Sequence, residues 1–503
     1  MSSVNVKRTS SILFFLRVVK LLVSLITVSL TAKYFGVSVE KDAWLLVIAL
    51  ISSITLLVWG PINETFRAKF IFIKEHDGEM IALKSSSSLL CGIIIITLFL
   101  ITILAVCAPL IANFSAHDLG KSGIEWFLSI FLFLLPSLLI DELNNISASI
   151  LNAYNIFYIP EIVGSITSAI YIVVLLWLAP LIGIYSIVVG QYISTITLLC
   201  VLLVYIRRQH IFQIRWFLKP SFQLVKPFLY YALPFFFPYA IGQINYFTER
   251  WLATLLGVGN LSILDYSRRF TVILQTVIGS VLTTLMVPLL AKSHMSGKTS
   301  DFNLIVKQNV TVIYGIMLLA IPFLFGASYP ICDFLYHRGD VTMKDIQDIT
   351  QICQYYALAF LGVIIYIIFG NILLASEKGK IYAFWGVMAQ LVVIIINFGF
   401  VSYSGLAIFP CSLGLVHLIV GGIMWSKGKS WSTELLKIII RNNILIITVS
   451  FGIYLLSKHI YPLAAIPNIL LCIATTLISA LLLSQFIGIN SWSLLKKVLQ
   501  KVK

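Results

Sequence analysis

Charge is scarce in this chain. Of 503 residues only 11% are Asp, Glu, Lys or Arg, while 59% are hydrophobic and the mean hydropathy is +1.00. Soluble domains carry roughly 25% charged residues, so a water-soluble fold is excluded. The seven cysteines (Cys91, Cys107, Cys200, Cys332, Cys353, Cys411, Cys472) show no C-x-x-C spacing, which argues against both a metal site and a disulfide framework. No cleavable leader is expected either. The apolar run from Ile12 to Tyr34 is long enough to span and contains Arg17 and Lys20, so it reads as a first transmembrane helix.

What remains is membrane sequence from end to end. About 20 apolar residues cross a hydrocarbon core of roughly 30 Å. On that measure the spans are 11–34, 43–62, 87–111, 125–149, 158–180, 182–206, 229–256, 265–290, 306–329, 350–374, 381–403, 405–426, 439–457 and 461–486, about fourteen helices of an all-α integral membrane protein. Of the 35 Lys and Arg residues, 22 fall in the N-terminal tail, the even-numbered loops and the C-terminal tail, against 5 in the odd-numbered loops and eight inside spans, three of which (Lys33, Lys307 and Arg441) stand at span ends. Basic residues in short loops mark the cytoplasmic side, so both termini are expected there. The net charge of +15 is therefore a matter of topology, and nucleic acid is not expected as a partner. Basic blocks at Arg207, Arg208, Arg215, Lys219 and Lys226, and at Lys496, Lys497, Lys501 and Lys503, should face anionic lipid.

The chain also repeats itself. Leu255-Leu256-Gly257-Val258 echoes Tyr34-Phe35-Gly36-Val37, Pro330-Ile331 echoes Pro109-Leu110, and Leu373-Leu374-Ala375 echoes Leu151-Asn152-Ala153, at offsets of 221, 221 and 222 residues. Six spans separate the copies, so the repeats are parallel. The expected organisation is a six-helix lobe over 1–208, a basic cytoplasmic linker over 209–228, a second six-helix lobe over 229–430, and two extra helices with a basic tail over 431–503. Two such pseudo-repeats with a site between them suit an alternating-access carrier.

Several segments resemble the MurJ/MviN family. Phe35-Gly36 with Asp42-Ala43-Trp44 is similar to its F-G-x5-D-A-F opening, and Tyr266-Ser267-Arg268-Arg269-Phe270 running to Pro288 is similar to its Y-A-D-R-L segment and downstream L-P. The stretch Ile150 to Pro160 resembles I-L-N-x-Y-x-x-F-x-x-P, and Leu335 to Thr342 resembles F-x-R-G-x-F-T. The resemblance covers about residues 10–430. It implies the multidrug/oligosaccharidyl-lipid/polysaccharide exporter fold, a V-shaped pair of bundles around a cationic cavity, and an undecaprenyl-pyrophosphate-linked cargo such as lipid II. It also implies the bacterial cytoplasmic (inner) membrane, a role in peptidoglycan and cell-wall biogenesis, and a monomer working beside cell-wall synthesis machinery. The chain departs from the family where prototypes carry arginines, at Leu21, Thr27 and Thr55, and where they carry an acid, at Val272.

A flippase breaks no bonds. It must keep a diphosphate and a sugar in polar contact across a region that charges avoid. The candidates for a cationic, substrate-binding cavity are five basic residues within spans, Arg17, Lys20, Arg250, Arg268 and Arg269. Each costs roughly 3 kcal/mol at a helix centre, which five or six Leu or Ile offset, so snorkelling or ion pairing competes with a cavity role. The gating or coupling candidates are Asp42, Asp141, Glu142, Glu161 and Glu249; Asp42 would cap the second span and close a gate. Gln191, Gln243, Asn245 and Asn371, with Gln390, could line a sugar path or serve as interhelical glue. Pro234 and Pro238, with Gly242 and Gly257, should kink or loosen the seventh span. Neither a catalytic set nor a metal or organic cofactor is expected. Coupling would fall to H+, Na+ or the membrane potential. The competing readings are a flippase for an O-antigen, capsule or exopolysaccharide unit, a cation-coupled drug exporter, a structural scaffold, and a membrane glycan enzyme. The last would need a long odd-numbered loop, and the longest here is about 20 residues (329–350), with His337, Arg338, Asp340 and Asp345.

Overall fold

The computed structural model describes residues 6–209, 220–282, 286–295, 299–428, 432–459 and 464–487, with side chains from Val19 onward except at 277, 280, 281, 288, 299, 300 and 485–487. Arg17, Arg215, Lys219 and the C-terminal lysines lie outside the described side chains. Helices and turns make up the described residues, with no β-strand among them. That is the arrangement lipid allows, because a helix satisfies its own backbone.

The chain divides into two compact units, Met1–Ser262 and Ile263–Lys503. The first holds α1 (Val6–Phe35), α2 (Val39–Val58), α3 (Gly60–His76), α4 (Glu79–Ser115), α5 (Gly120–Leu134), α6 (Ser137–Ala153), α7 (Tyr158–Ile182), α8 (Tyr185–Arg208) and α9 (Phe222–Thr254). Then follow α10 (Asn260–Val281), α11 (Val287–Met295), α12 (Thr299–Gly326), α13 (Ser328–Tyr336), α14 (Met343–Ala375), α15 (Gly379–Ser404), α16 (Ile408–Lys427), α17 (Thr433–His459) and α18 (Ala465–Ile487).

Among the described residues, ten helical stretches are long and apolar enough to cross a membrane, or eleven if α5 and α6, bent by 43°, form one span. That number is of candidates by length and composition among the described residues, and the expected fourteen is not tested by it. Charge explains part of the difference, since Asp265, Arg268 and Arg269 make α10 too polar to qualify. Gly379–Lys427 counts as one stretch although it comprises α15 and α16, joined by a 3-10 turn at Gly405–Ala407. The bend between α5 and α6 falls at Pro136, whose ring removes a backbone donor. Three prolines, Pro227, Pro234 and Pro238, lie within α9, which is continuous from Phe222 to Thr254.

In the first unit α3 is a helix where the loop pattern suggested a plain connection. Pro61 stands in its first turn, where a missing N–H costs nothing. Its Phe66 and Phe70 are fully buried, and the Phe66 ring centroid lies 5.2 Å from that of Phe228 on α9. With Ile146, Ile150 and Leu202 they form one apolar cluster that seats α3 on α6. In the second unit α14 and α16 approach through glycine. A methyl group on Gly414 would sit 2.7 Å from the Ala359 Cα, and one on Gly421 would sit 2.7 Å from the Tyr366 amide nitrogen. Small residues let helix backbones close in lipid, where van der Waals contact replaces the hydrophobic effect as the packing force.

Candidate functional site

Asp42 is a carboxylate held inside the first unit. It is fully buried in the first turns of α2 and accepts three hydrogen bonds: from the Gly259 amide at 2.5 Å, the Ser262 amide at 2.8 Å and the Ser262 hydroxyl at 2.6 Å. The two amides stand at the start of α10, where four backbone N–H groups lack helical partners and the helix dipole favours an anion. Asp42 thus supplies the anionic cap of α10. The expectation that it caps its own helix is corrected, because Ser38 does so, accepting from the Lys41 amide at 3.2 Å. The connection into α10 turns through Gly257 (φ 106°) and Gly259 (φ 89°), conformations that suit glycine. Next to Asp42 a second charge is buried. Lys41 is 1% exposed with its Nζ 4.3 Å from the Trp44 ring centroid, a placement not signalled by the sequence pattern.

Two of the predicted cations are held by acids. Lys20 on α1 meets Glu161 on α7 at 2.7 Å, with about a third of each side chain exposed (34% and 27%). Arg269 meets Asp265, one turn back on α10, at 3.2 Å with 36% of its side chain exposed. Arg268 lies over the Tyr356 ring at 6.0 Å. Arg250 turns back along α9, its guanidinium 3.6 Å from the Tyr246 ring centroid and its Nη1 donating to the Tyr246 carbonyl at 3.2 Å. The neighbouring Glu249 is buried at 6% exposure.

The positions where family prototypes carry arginine are closed off locally. The Thr27 hydroxyl donates to Val23 O and the Thr55 hydroxyl to Ile51 O, both at 2.9 Å within their own helices. Of the polar-path candidates, Asn371 also turns inward, donating to Ile367 O at 2.8 Å. The backbone carbonyl of Gln191 accepts from Thr195 and that of Gln243 from Ser53, while Asn245 is buried. Gln390 is half-buried on α15.

On α6, Glu142 is fully buried and Asp141 half-buried. The Asn63 carboxamide of α3 donates to Glu142 Oε2 at 2.9 Å. Glu142 Oε1 and Asn63 Oδ1, both buried, have no hydrogen-bond partner. Asn63 was invisible to motif reading, since nothing in its surroundings marks it. Only the apolar spacing of Phe66 and Phe70 hints that α3 packs at all.

In the second unit α14, α16 and α17 enclose an apolar groove of about 620 Å³ lined by Ile365, Leu418, Trp425, Ile439 and Ile447, with Asn443 as its amide. Among the described residues no group of three His, Cys, Asp or Glu side chains could hold a metal ion.

Many apolar helices, intramembrane cations paired to acids and a buried carboxylate holding the start of another helix together define a multi-pass membrane protein of the transporter class. Residues 31–487 match the family described as Lipid II flippase MurJ, and the chain belongs to that family. The Lipid II flippase MurJ of Burkholderia cenocepacia is 20% identical over 403 residues, covering 77% of each chain. A solved structure of Lipid II flippase MurJ in an inward closed conformation superposes with a TM-score of 0.76 at 22% identity, over 95% of this chain and 99% of that one. An inward-facing multidrug resistance MATE transporter of the MOP superfamily gives 0.65 at 13% identity, over 81% and 94%. At such identities the two structures establish the fold alone.

Proposed function

We propose that this chain moves lipid II, an undecaprenyl-pyrophosphate-linked glycan, from the cytoplasmic to the periplasmic face of a bacterial inner membrane by alternating access. The observation that carries the reading is the family match over residues 31–487. The paired cations support it chemically. Lys20 and Arg269 each rest on a carboxylate and keep about a third of their side chains open, so a diphosphate can take the place of Glu161 or Asp265 while the cation stays paired throughout. Arg17, Arg250 and Arg268 are the remaining cations for this task. The apolar groove lined by Ile365, Leu418 and Ile439 suits an isoprenoid tail. Asp42 acts as the latch of the cycle: while it caps α10 the segment Gly259–Ser262 is held, and access changes when those three hydrogen bonds part.

No bond of the cargo is made or broken, so the chain is a carrier rather than an enzyme. Both termini face the cytoplasm on the distribution of Lys and Arg, and the basic blocks there meet anionic lipid. The chain works as a monomer beside cell-wall synthesis enzymes and draws on the membrane potential or a coupling ion. Depletion in the native cell tests the reading: lipid II should accumulate on the inner leaflet. Accumulation of a different undecaprenyl-linked saccharide instead, favoured by the missing arginines at Leu21, Thr27 and Thr55, would transfer the chain to O-antigen, capsule or exopolysaccharide export.

A further inference from the structure

The pair Glu142 and Asn63 has a defect that one small ligand repairs. Asn63 Nδ2 donates to Glu142 Oε2 at 2.9 Å, leaving Glu142 Oε1 and Asn63 Oδ1 buried without partners. The bonded pair thus carries two buried acceptors with no donor between them among the described residues, and reversing the carboxamide leaves the same excess of acceptors over donors. Buried polar groups are seldom left in that condition. We infer that Glu142 and Asn63 form a proton-binding site, in which Glu142 carries the proton on Oε1 and donates it to Asn63 Oδ1, closing a cyclic acid–amide pair.

The surroundings leave the task to a proton. Asn145, one turn along α6, approaches the same carboxyl but makes no hydrogen bond to Oε1. The acid nearest in sequence, Asp141, is half-buried on the same helix. Among the described residues no cation forms an ion pair with Glu142. On α3, Arg67 lies over the Phe157 ring, Lys69 over Phe72 and Lys74 over Tyr154, and Glu64 accepts from Tyr239. On α8, Tyr192 donates to Phe133 O, and on α2, Asp42 is taken up by Gly259 and Ser262. The helix α4 brings Lys84, which is half-buried. A sodium ion held by Glu142 Oε1 and Asn63 Oδ1 would need further oxygen ligands, and no third acid joins the pair among the described residues.

Infrared difference spectroscopy on the purified full-length chain reads the proton directly and needs no transport assay. The wild type should show a protonated-carboxyl C=O band at neutral pH that is absent from Glu142→Gln, whose amide reproduces both hydrogen bonds and should leave the unfolding temperature unchanged. Asn63→Leu, which keeps the acid and removes its acceptor, should move the band to the higher frequency of a carboxyl without a hydrogen-bonded partner. Identical spectra for wild type and Glu142→Gln, or a band unmoved in Asn63→Leu, would overturn the assignment. So would a rise in wild-type unfolding temperature on replacing choline chloride with sodium chloride that Glu142→Gln abolishes, since the ligand would then be Na+.

Discussion

Asp42 and Ser262, 220 residues apart, meet through two hydrogen bonds, from the serine amide at 2.8 Å and from its hydroxyl at 2.6 Å. The internal repeat accounts for why these two should meet. Asp42 lies in the first turns of α2, and the repeat offset of 221 carries that position to the first turns of α10, where Ser262 stands. A carboxylate in one helix start serves the pseudo-equivalent helix start.

Removing that carboxylate strands the amides of Gly259 and Ser262. Hydrogen bonds to a charged group contribute about 1.5–3 kcal/mol each, so Asp42→Ala should lower stability by about 3 kcal/mol, seen as an earlier thermal unfolding transition in detergent. Ser262→Ala loses the hydroxyl but keeps the amide, and should cost about 1 kcal/mol. Equal losses in the two variants would show that the backbone contacts contribute little.

The Lys20 and Glu161 pair is a third open to its surroundings, so its coupling energy should be small. A double-mutant cycle with Lys20→Met and Glu161→Gln should give about 0.2–1 kcal/mol. Transport should respond far more strongly: Lys20→Met should fail to support growth in a depleted strain at normal abundance, whereas Glu161→Gln should retain activity. Full growth on Lys20→Met would remove this lysine from the diphosphate path.

Much of this was open to reading before any coordinates, and the reason differs by residue. Lys20, Glu161, Asp42 and Arg269 stood out because an ionisable side chain in an apolar span is costly and must be justified. Which residue each would meet did not. Glu161 is 141 positions from Lys20 and Ser262 is 220 from Asp42, and neither periodicity nor composition encodes a pairing across such distances. The Asp265 partner of Arg269 was within reach, since four residues along a helix place two side chains on one face. The extra helix α3 was hidden by its charge, because Arg67, Lys69 and Lys74 make its sequence look like a solvated loop while Phe66 and Phe70 anchor it beneath.

Arg269 offers a sharper separation of roles. Arg269→Ala should abolish complementation without loss of the protein from the membrane, and Arg269→Lys should restore it only in part, since lysine lacks the bidentate fork that suits phosphate. Asp265→Asn removes the competing carboxylate and should tighten binding of a pyrophosphate lipid by up to roughly fivefold, the equivalent of about 1 kcal/mol. Unchanged or weaker binding in that variant would mean that Asp265 positions the arginine rather than competing for it.

Helix packing in the second unit can be tested on two glycines of one helix. A methyl group at Gly414 would press on Ala359, whereas one at Gly422 meets nothing within 4 Å. Gly414→Ala should therefore destabilise by about 1–3 kcal/mol, and Gly422→Ala should be neutral or stabilising by about 0.4–1 kcal/mol. Thermal unfolding of the two variants side by side checks the close approach of α14 and α16 without reference to transport.

The driving force yields the last test. A cargo with two net negative charges moving outward, driven by a potential negative inside by about 100 mV, gains roughly 4–5 kcal/mol on crossing the whole field. Collapsing the potential with valinomycin and matched potassium leaves the carrier's structure and any proton gradient in place, so the rate of outward flipping should fall while binding at the inner face persists. The Glu142→Gln variant separates the two possible energy sources. If the potential alone drives the cycle, this variant should slow on depolarisation as the wild type does. If the proton on Glu142 must leave and return with each turnover, it should be slow already, and depolarisation should change it little.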